Sequence, residues 1–153
     1  MLNIRRNLFE TNSSSVHSIT MCDQTDFDAW KNGTLWFCGG NFYNHEQLLK
    51  FMKIRKLLDD YFDYDWKLMV FTYNHNTYSI KERQKIAEQF YDTISDEEAK
   101  ALYEKYLKDE PFEIPLSFKD YEEKLDYYET FEDLFISKSG DHVVAFGYYG
   151  MDN

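Results

Sequence analysis

The sequence predicts an α+β fold, and three observations point there. Strand-like patterning occupies both ends of the chain, helical periodicity fills the middle, and the two never alternate in a βαβ rhythm. The 153 residues suit one hydrophobic core, and no Pro-rich or Gly/Ser-rich linker divides them. The expected architecture is a single domain over 1–153. In it an N-terminal and a C-terminal β-hairpin share an antiparallel sheet packed against about four helices.

Leu2, Ile4 and Leu8 alternate with Asn3, Arg5 and Asn7, the period of a half-buried strand, and Val16 to Cys22 reads as a second strand. Glu10 to Ser15 is too polar for a core, and its Asn and Ser side chains bond neighbouring backbone amides, so a hairpin loop joins the two. A short helix follows, with Thr25 as N-cap, Phe27 and Trp30 facing inward and Gly33 closing it. Thr34 to Cys38 reads as a strand ended by Gly39-Gly40. Asn44, Glu46 and Gln47 open the longest helix, to about Phe62, and its apolar residues cover more than one stripe.

Leu68, Met69, Val70 and Phe71 in succession read as a buried strand over Trp66 to Tyr73, with Asn74 to Thr77 as its turn. Ser79 with Glu82 and Ser95 with Glu98 have capping-box spacing and open helices to about Asp92 and Lys108. Pro111 and Pro115 punctuate a loop, and Ser117 to Asp120 opens a shorter helix to about Tyr128. Asp133 to Lys138 and His142 to Tyr149 flank a Ser139-Gly140-Asp141 turn and form the closing hairpin. Gly147-Tyr148-Tyr149-Gly150 reads as its terminus.

A formal charge of −11 disfavours affinity for free DNA or RNA and suits a basic protein partner. The same charge keeps a chain with 13 tyrosines, 13 phenylalanines and 3 tryptophans in solution. Acidic residues crowd the stretch Glu97, Glu98, Glu104, Asp109, Glu110, Glu113, Asp120, Glu122, Glu123, Asp126, Glu129, Glu132 and Asp133. They form either a phosphate-like surface for a basic groove or a solvated helical face. Lys50, Lys53, Arg55 and Lys56 are the one basic concentration of the long helix; they either contact RNA or cover its apolar sides.

Cys22 and Cys38 lack a CxxC pair and read as small core residues. The start Met-Leu-Asn-Ile-Arg-Arg lacks the apolar run of a secretion signal, and no apolar segment approaches the roughly 20 residues of a membrane span. A reduced, cytoplasmic setting without membrane contact is expected. His45, His75 and His142 have no ligand spacing, and neither glycine pair matches a phosphate loop, so no metal or cofactor is expected.

The polar chemistry concentrates in Arg5-Arg6-Asn7-Leu8-Phe9-Glu10-Thr11-Asn12-Ser13-Ser14-Ser15-Val16-His17-Ser18, making 1–22 the candidate working element. His17 lies two residues beyond Ser15, so an extended strand presents both on one face. A serine nucleophile there needs His17 as base and Glu10 or Asn12 to orient it, but no GxSxG elbow is present. A metal-free ribonuclease uses His17 or Glu10 as base on a 2′-hydroxyl, with Arg5 and Arg6 neutralising the phosphate. The bland alternative makes Arg5 and Arg6 edge-strand charges, His17 an ordinary strand residue and the serines a turn.

The same segment resembles the N-terminal signature, roughly RRxxFETNSSSxHS, of small proteins encoded by phages and mobile elements of Firmicutes. Within that group it looks like anti-CRISPR inhibitors of type II-A systems; the likeness covers about residues 4 to 19. The resemblance implies interference with an RNA-guided effector nuclease and its guide RNA in the bacterial host cell, through blocked assembly or effector-dependent guide truncation. It implies roles for Arg5, Arg6, Glu10 and His17 in chemistry, and for Thr11, Asn12, Ser13, Ser14 and Ser15 in RNA or partner contact. The alternative is a phage-encoded ribonuclease or hydrolase that uses the hairpin on another substrate.

If Ser13 to Ser15 only shape a turn, replacing all three with alanine lowers the melting temperature and leaves other properties intact. A loss of partner binding or RNA processing at unchanged melting temperature assigns them a contact or chemical role instead.

Overall fold

The computed structural model describes residues 3–5, 9–11 and 15–151, with side chains over 18–150. The elements are β1 (Asn3–Arg5), β2 (Phe9–Thr11), β3 (Ser15–Asp23), α1 (Gln24–Lys31), β4 (Trp36–Cys38), β5 (Asn41–Tyr43) and α2 (His45–Tyr61). They continue with β6 (Asp63–Asp65), β7 (Val70–Tyr73), β8 (Asn76–Tyr78), α3 (Ile80–Phe90), α4 (Asp96–Asp109), α5 (Phe118–Lys124), β9 (Glu129–Ile136) and β10 (His142–Met151). The class is α+β, and strands from both ends of the chain share one antiparallel sheet. Among the described residues no helix is long and apolar enough to cross a membrane.

The chain divides into two compact units, Met1–His45 with Pro115–Asn153, and Glu46–Ile114. The first holds the five-stranded sheet, in which β1 and β2 both pair with β3, β3 with β10 and β10 with β9. Helices α1 and α5 and the β4–β5 hairpin belong to the same unit. Trp30, fully buried, is its centre: the rings of Phe118, Tyr121, Phe146, Phe37, Phe27 and Phe42 lie 4.9 to 5.9 Å from it. Its Nε1 donates to the Leu116 carbonyl at 3.0 Å, and the Phe37 amide donates to the same oxygen at 2.8 Å. Cys22 sits in this core, where burial pushes its thiol up to about 12.

Of the strand expected over Leu2 to Leu8, β1 is the described part; Leu2 and positions 6–8 lie outside the described residues. β1 and β2 pair with β3 in registers that differ by one residue, Arg5 opposite Thr20 and Phe9 opposite His17. A one-residue slip exchanges the two faces of a strand, so β2 does not continue the alternation of β1. Glu10, Thr11 and Ser15 belong to strands rather than to the expected loop. Further along, Asp23 takes the N-cap position expected of Thr25, without a side-chain capping bond. Gly147 is interior to β10, not at a strand end: a Cβ there would lie 1.7 Å from the Ser18 carbonyl oxygen, so only glycine allows the approach.

In the second unit β6, β7 and β8 form a small antiparallel sheet beside α2, α3 and α4. Its core cluster is Leu57, Leu58, Phe62, Ala87 and Ile94. The expected buried strand over Trp66 to Tyr73 survives only as β7. Asp65 Oδ1 accepts the Lys67 and Leu68 amides at 2.9 and 3.2 Å, and its carbonyl accepts Met69 N at 2.8 Å. That turn takes the amides a strand would need, and Trp66, Leu68 and Met69 end up exposed. The predicted capping box at Ser79 forms in full, and Ser95 caps α4. The helix from Ser117 stops at Lys124, short of Tyr128, and β9 begins at Glu129, earlier than Asp133.

Three outcomes are expected by urea denaturation. Trp30→Ala lowers stability by about 3–5 kcal/mol, because the cavity forfeits the aromatic shell, and Trp30→Phe costs less. His75→Gly stabilises by roughly 0.5–1 kcal/mol, since Asn74 and His75, with φ of 50° and 66°, form a two-residue turn in the left-handed region that glycine adopts without strain.

Candidate functional site

Antiparallel register gathers the N-terminal segment. β1 runs along one half of β3, with Arg5 opposite Thr20. β2 runs along the other, with Phe9 opposite His17, Glu10 opposite Val16 and Thr11 opposite Ser15. The backbone thus brings Glu10, Thr11, Ser15 and His17 to one hairpin end and leaves Arg5 further along the sheet. Arg6, Asn12, Ser13 and Ser14 lie outside the described residues. Ser15 and His17 are two positions apart in one continuous strand, which begins one residue earlier than expected.

The register continues across the sheet. His17 is opposite Tyr149 of β10, and Tyr149 is opposite Glu129 of β9, so Phe9, His17, Tyr149 and Glu129 occupy one cross-strand row. Directly opposed positions are the closest neighbours two strands offer, with Cβ atoms ~4.5–5.5 Å apart. The outer half of the row is a hydrogen-bonded pair in which Tyr149 Oη donates to Glu129 Oε2. Accepting that bond, the carboxylate holds the phenol above its ordinary range.

Aromatic surface surrounds this end of the sheet. Tyr148 packs its ring 5.2 Å from that of Tyr128, and the neighbouring Tyr127 is 96 % exposed. Gly150 permits this, since a Cβ there would come within 2.9 Å of the Tyr128 ring. From sequence Glu129 enters only as one of the acidic set and Tyr149 only as a strand residue. Local periodicity places Tyr149 in a strand but starts its partner strand only at Asp133, and the pairing of β10 with β3 joins opposite ends of the chain and leaves no short-range signal.

The basic residues of α2 are engaged within their own unit. Lys53 and Lys56 bind Asp96 and Asp60, each at 2.7 Å. Lys50 lies over the Tyr91 ring, and Arg55 lies over the Phe51 and Tyr106 rings while donating to the Glu113 carbonyl at 3.3 Å. These contacts account for the quartet without RNA. The acidic set is outward-facing apart from half-buried Asp120, which accepts the Ser117 hydroxyl at 3.0 Å. Crowding shows at Glu110, whose carboxyl is raised by the neighbouring Glu113. Among the described residues no three His, Cys, Asp or Glu side chains are grouped to hold a metal ion.

Compared with protein-family models, with curated proteins and with solved structures, the chain matches none.

Because the raised Tyr149 value comes from Glu129, Glu129→Gln makes Tyr149 ionise at lower pH. The stability contributed by the pair is complete below the ordinary phenol range and is lost as pH rises through the raised value. An NMR titration with ζ-carbon-labelled tyrosine, assigned with Tyr149→Phe, measures this. An unchanged midpoint in Glu129→Gln would show that the bond does not hold in solution.

Proposed function

We propose that the protein is a counter-defence inhibitor of a type II-A RNA-guided effector nuclease, acting on its guide RNA with the N-terminal hairpin as working element. The observation that carries this reading is the row Phe9, His17, Tyr149 and Glu129. It aligns the histidine of the RRxxFETNSSSxHS-like segment with a hydrogen-bonded tyrosine–carboxylate pair. Metal-free RNA cleavage needs a base for the 2′-hydroxyl proton, an acid for the departing oxygen and positive charge for the phosphate. His17 supplies the base and the Tyr149 phenol the proton; Glu10 and Arg5, at register positions opposite Val16 and Thr20, fall on the other face of the sheet from that row, which leaves Arg6 to supply the charge. Thr11, Asn12, Ser13, Ser14 and Ser15 contact the RNA or the effector.

Charge supports recruitment through a protein. A chain of −11 is repelled by free RNA, whereas the channel of an RNA-guided nuclease is basic. The effector therefore concentrates the inhibitor at the guide, and truncation depends on it. Blocked assembly is the non-catalytic form of the same encounter.

Labelled guide RNA incubated with this protein, with and without the effector, tests the reading. Shortening is expected only with the effector, and His17→Ala slows it roughly 10²-fold or more while effector binding is retained. Efficient cleavage of free RNA would instead identify a ribonuclease unrelated to CRISPR. Binding lost together with inhibition in His17→Ala would identify a contact surface.

A further inference from the structure

We infer that the cleft between α1, α5 and β9 receives the guanidinium group of an arginine from a basic protein partner, a role separate from the hairpin chemistry. The cleft encloses about 300 Å³, at the bottom of the roughly 300–1,000 Å³ range of small-molecule sites. That is the scale of one large side chain rather than of a cofactor. Its walls include the rings of Phe27, Phe118 and Phe131, and its charged lining is Lys31, Glu122 and Glu132.

A cation already rests there. Lys31 Nζ lies 5.5 and 5.3 Å from the ring centroids of Phe27 and Phe118, and 3.0 Å from Glu132 Oε1. The geometry is that of a cation–π site closed by a carboxylate. Lys31 satisfies only part of the lining. Glu122 is exposed and makes no ion pair among the described residues, so the cleft carries one carboxylate more than it has ammonium groups.

Charge decides the ligand class. A cleft with surplus negative charge, on a chain of −11, repels phosphates and carboxylates and attracts cations. Aromatic walls then favour the planar, weakly hydrated guanidinium over an ammonium, because it stacks on rings while its fork meets a carboxylate. Access suits a polypeptide: β9 ends its sheet among the described residues, so a partner chain reaches the cleft along an open edge.

The test titrates the full-length protein with acetyl-Gly-Arg-Gly-amide and with its citrulline and lysine counterparts, read by NMR shifts of Phe118, Phe131 and Lys31. The arginine peptide is expected to move these resonances and to bind about tenfold more tightly than the citrulline peptide, the scale of one charged hydrogen bond. Glu122→Gln weakens it several-fold at unchanged melting temperature. Lys31→Met strengthens it, because the resident cation leaves the rings and Glu132. Equal binding of the citrulline or lysine peptide, unmoved cleft resonances, or arginine affinity unaltered in both variants would overturn the assignment. None of these outcomes depends on guide RNA being cut.

Discussion

The bond from the Trp30 indole to the Leu116 carbonyl organises the first unit. Tryptophan brings a large apolar surface and one polar atom that cannot be buried unpaired. Leu116 provides the acceptor, and the Phe37 amide on the same oxygen joins β4 to that point. Around it the rings of Phe27, Phe118, Tyr121 and Phe146 tie α1, α5 and β10 into one cluster. Phe146 is three residues from Tyr149 on the same strand. The packing that excludes water from Trp30 therefore also fixes the strand that carries the outer part of the candidate site.

Element identity was legible wherever the signal is local. Ser79 and Glu82 announced their helix because a capping box is chemistry within one turn, and Phe27 with Trp30 marked the inward side of α1. Asn74 and His75 sat in the segment expected to turn. The failures have physical causes. Leu68 and Met69 look like core residues, yet Asp65 takes the amides their strand would have needed. The one-residue change of register between β1 and β2 is set against β3, which no alternation within the segment encodes.

The candidate site was legible in part for the same reason. A dense polar segment pointed to Glu10 and His17, whereas Glu129 and Tyr149 join them only through pairings across the sheet. Electrostatics divides the same way. Positive charge on α2 is spent on internal partners, so the described surface turned toward other molecules is dominated by carboxylates. That surface is electrostatically suited to basic molecules and repels phosphates.

Gly147 sets one further limit. Its backbone approaches Ser18 so closely that no side chain fits, and the residues on either side, Phe146 and Tyr148, are among the bulkiest in the chain. If β10 slid by one residue, an aromatic would be driven into the space only hydrogen can occupy. Gly147 therefore works as a keyway between the first and last long strands, allowing a single alignment. Lengthening β10 beyond the keyway would carry Tyr149 out of line with His17 while Phe146 keeps its place beside Trp30, so the alignment of the cross-strand row is set separately from the core.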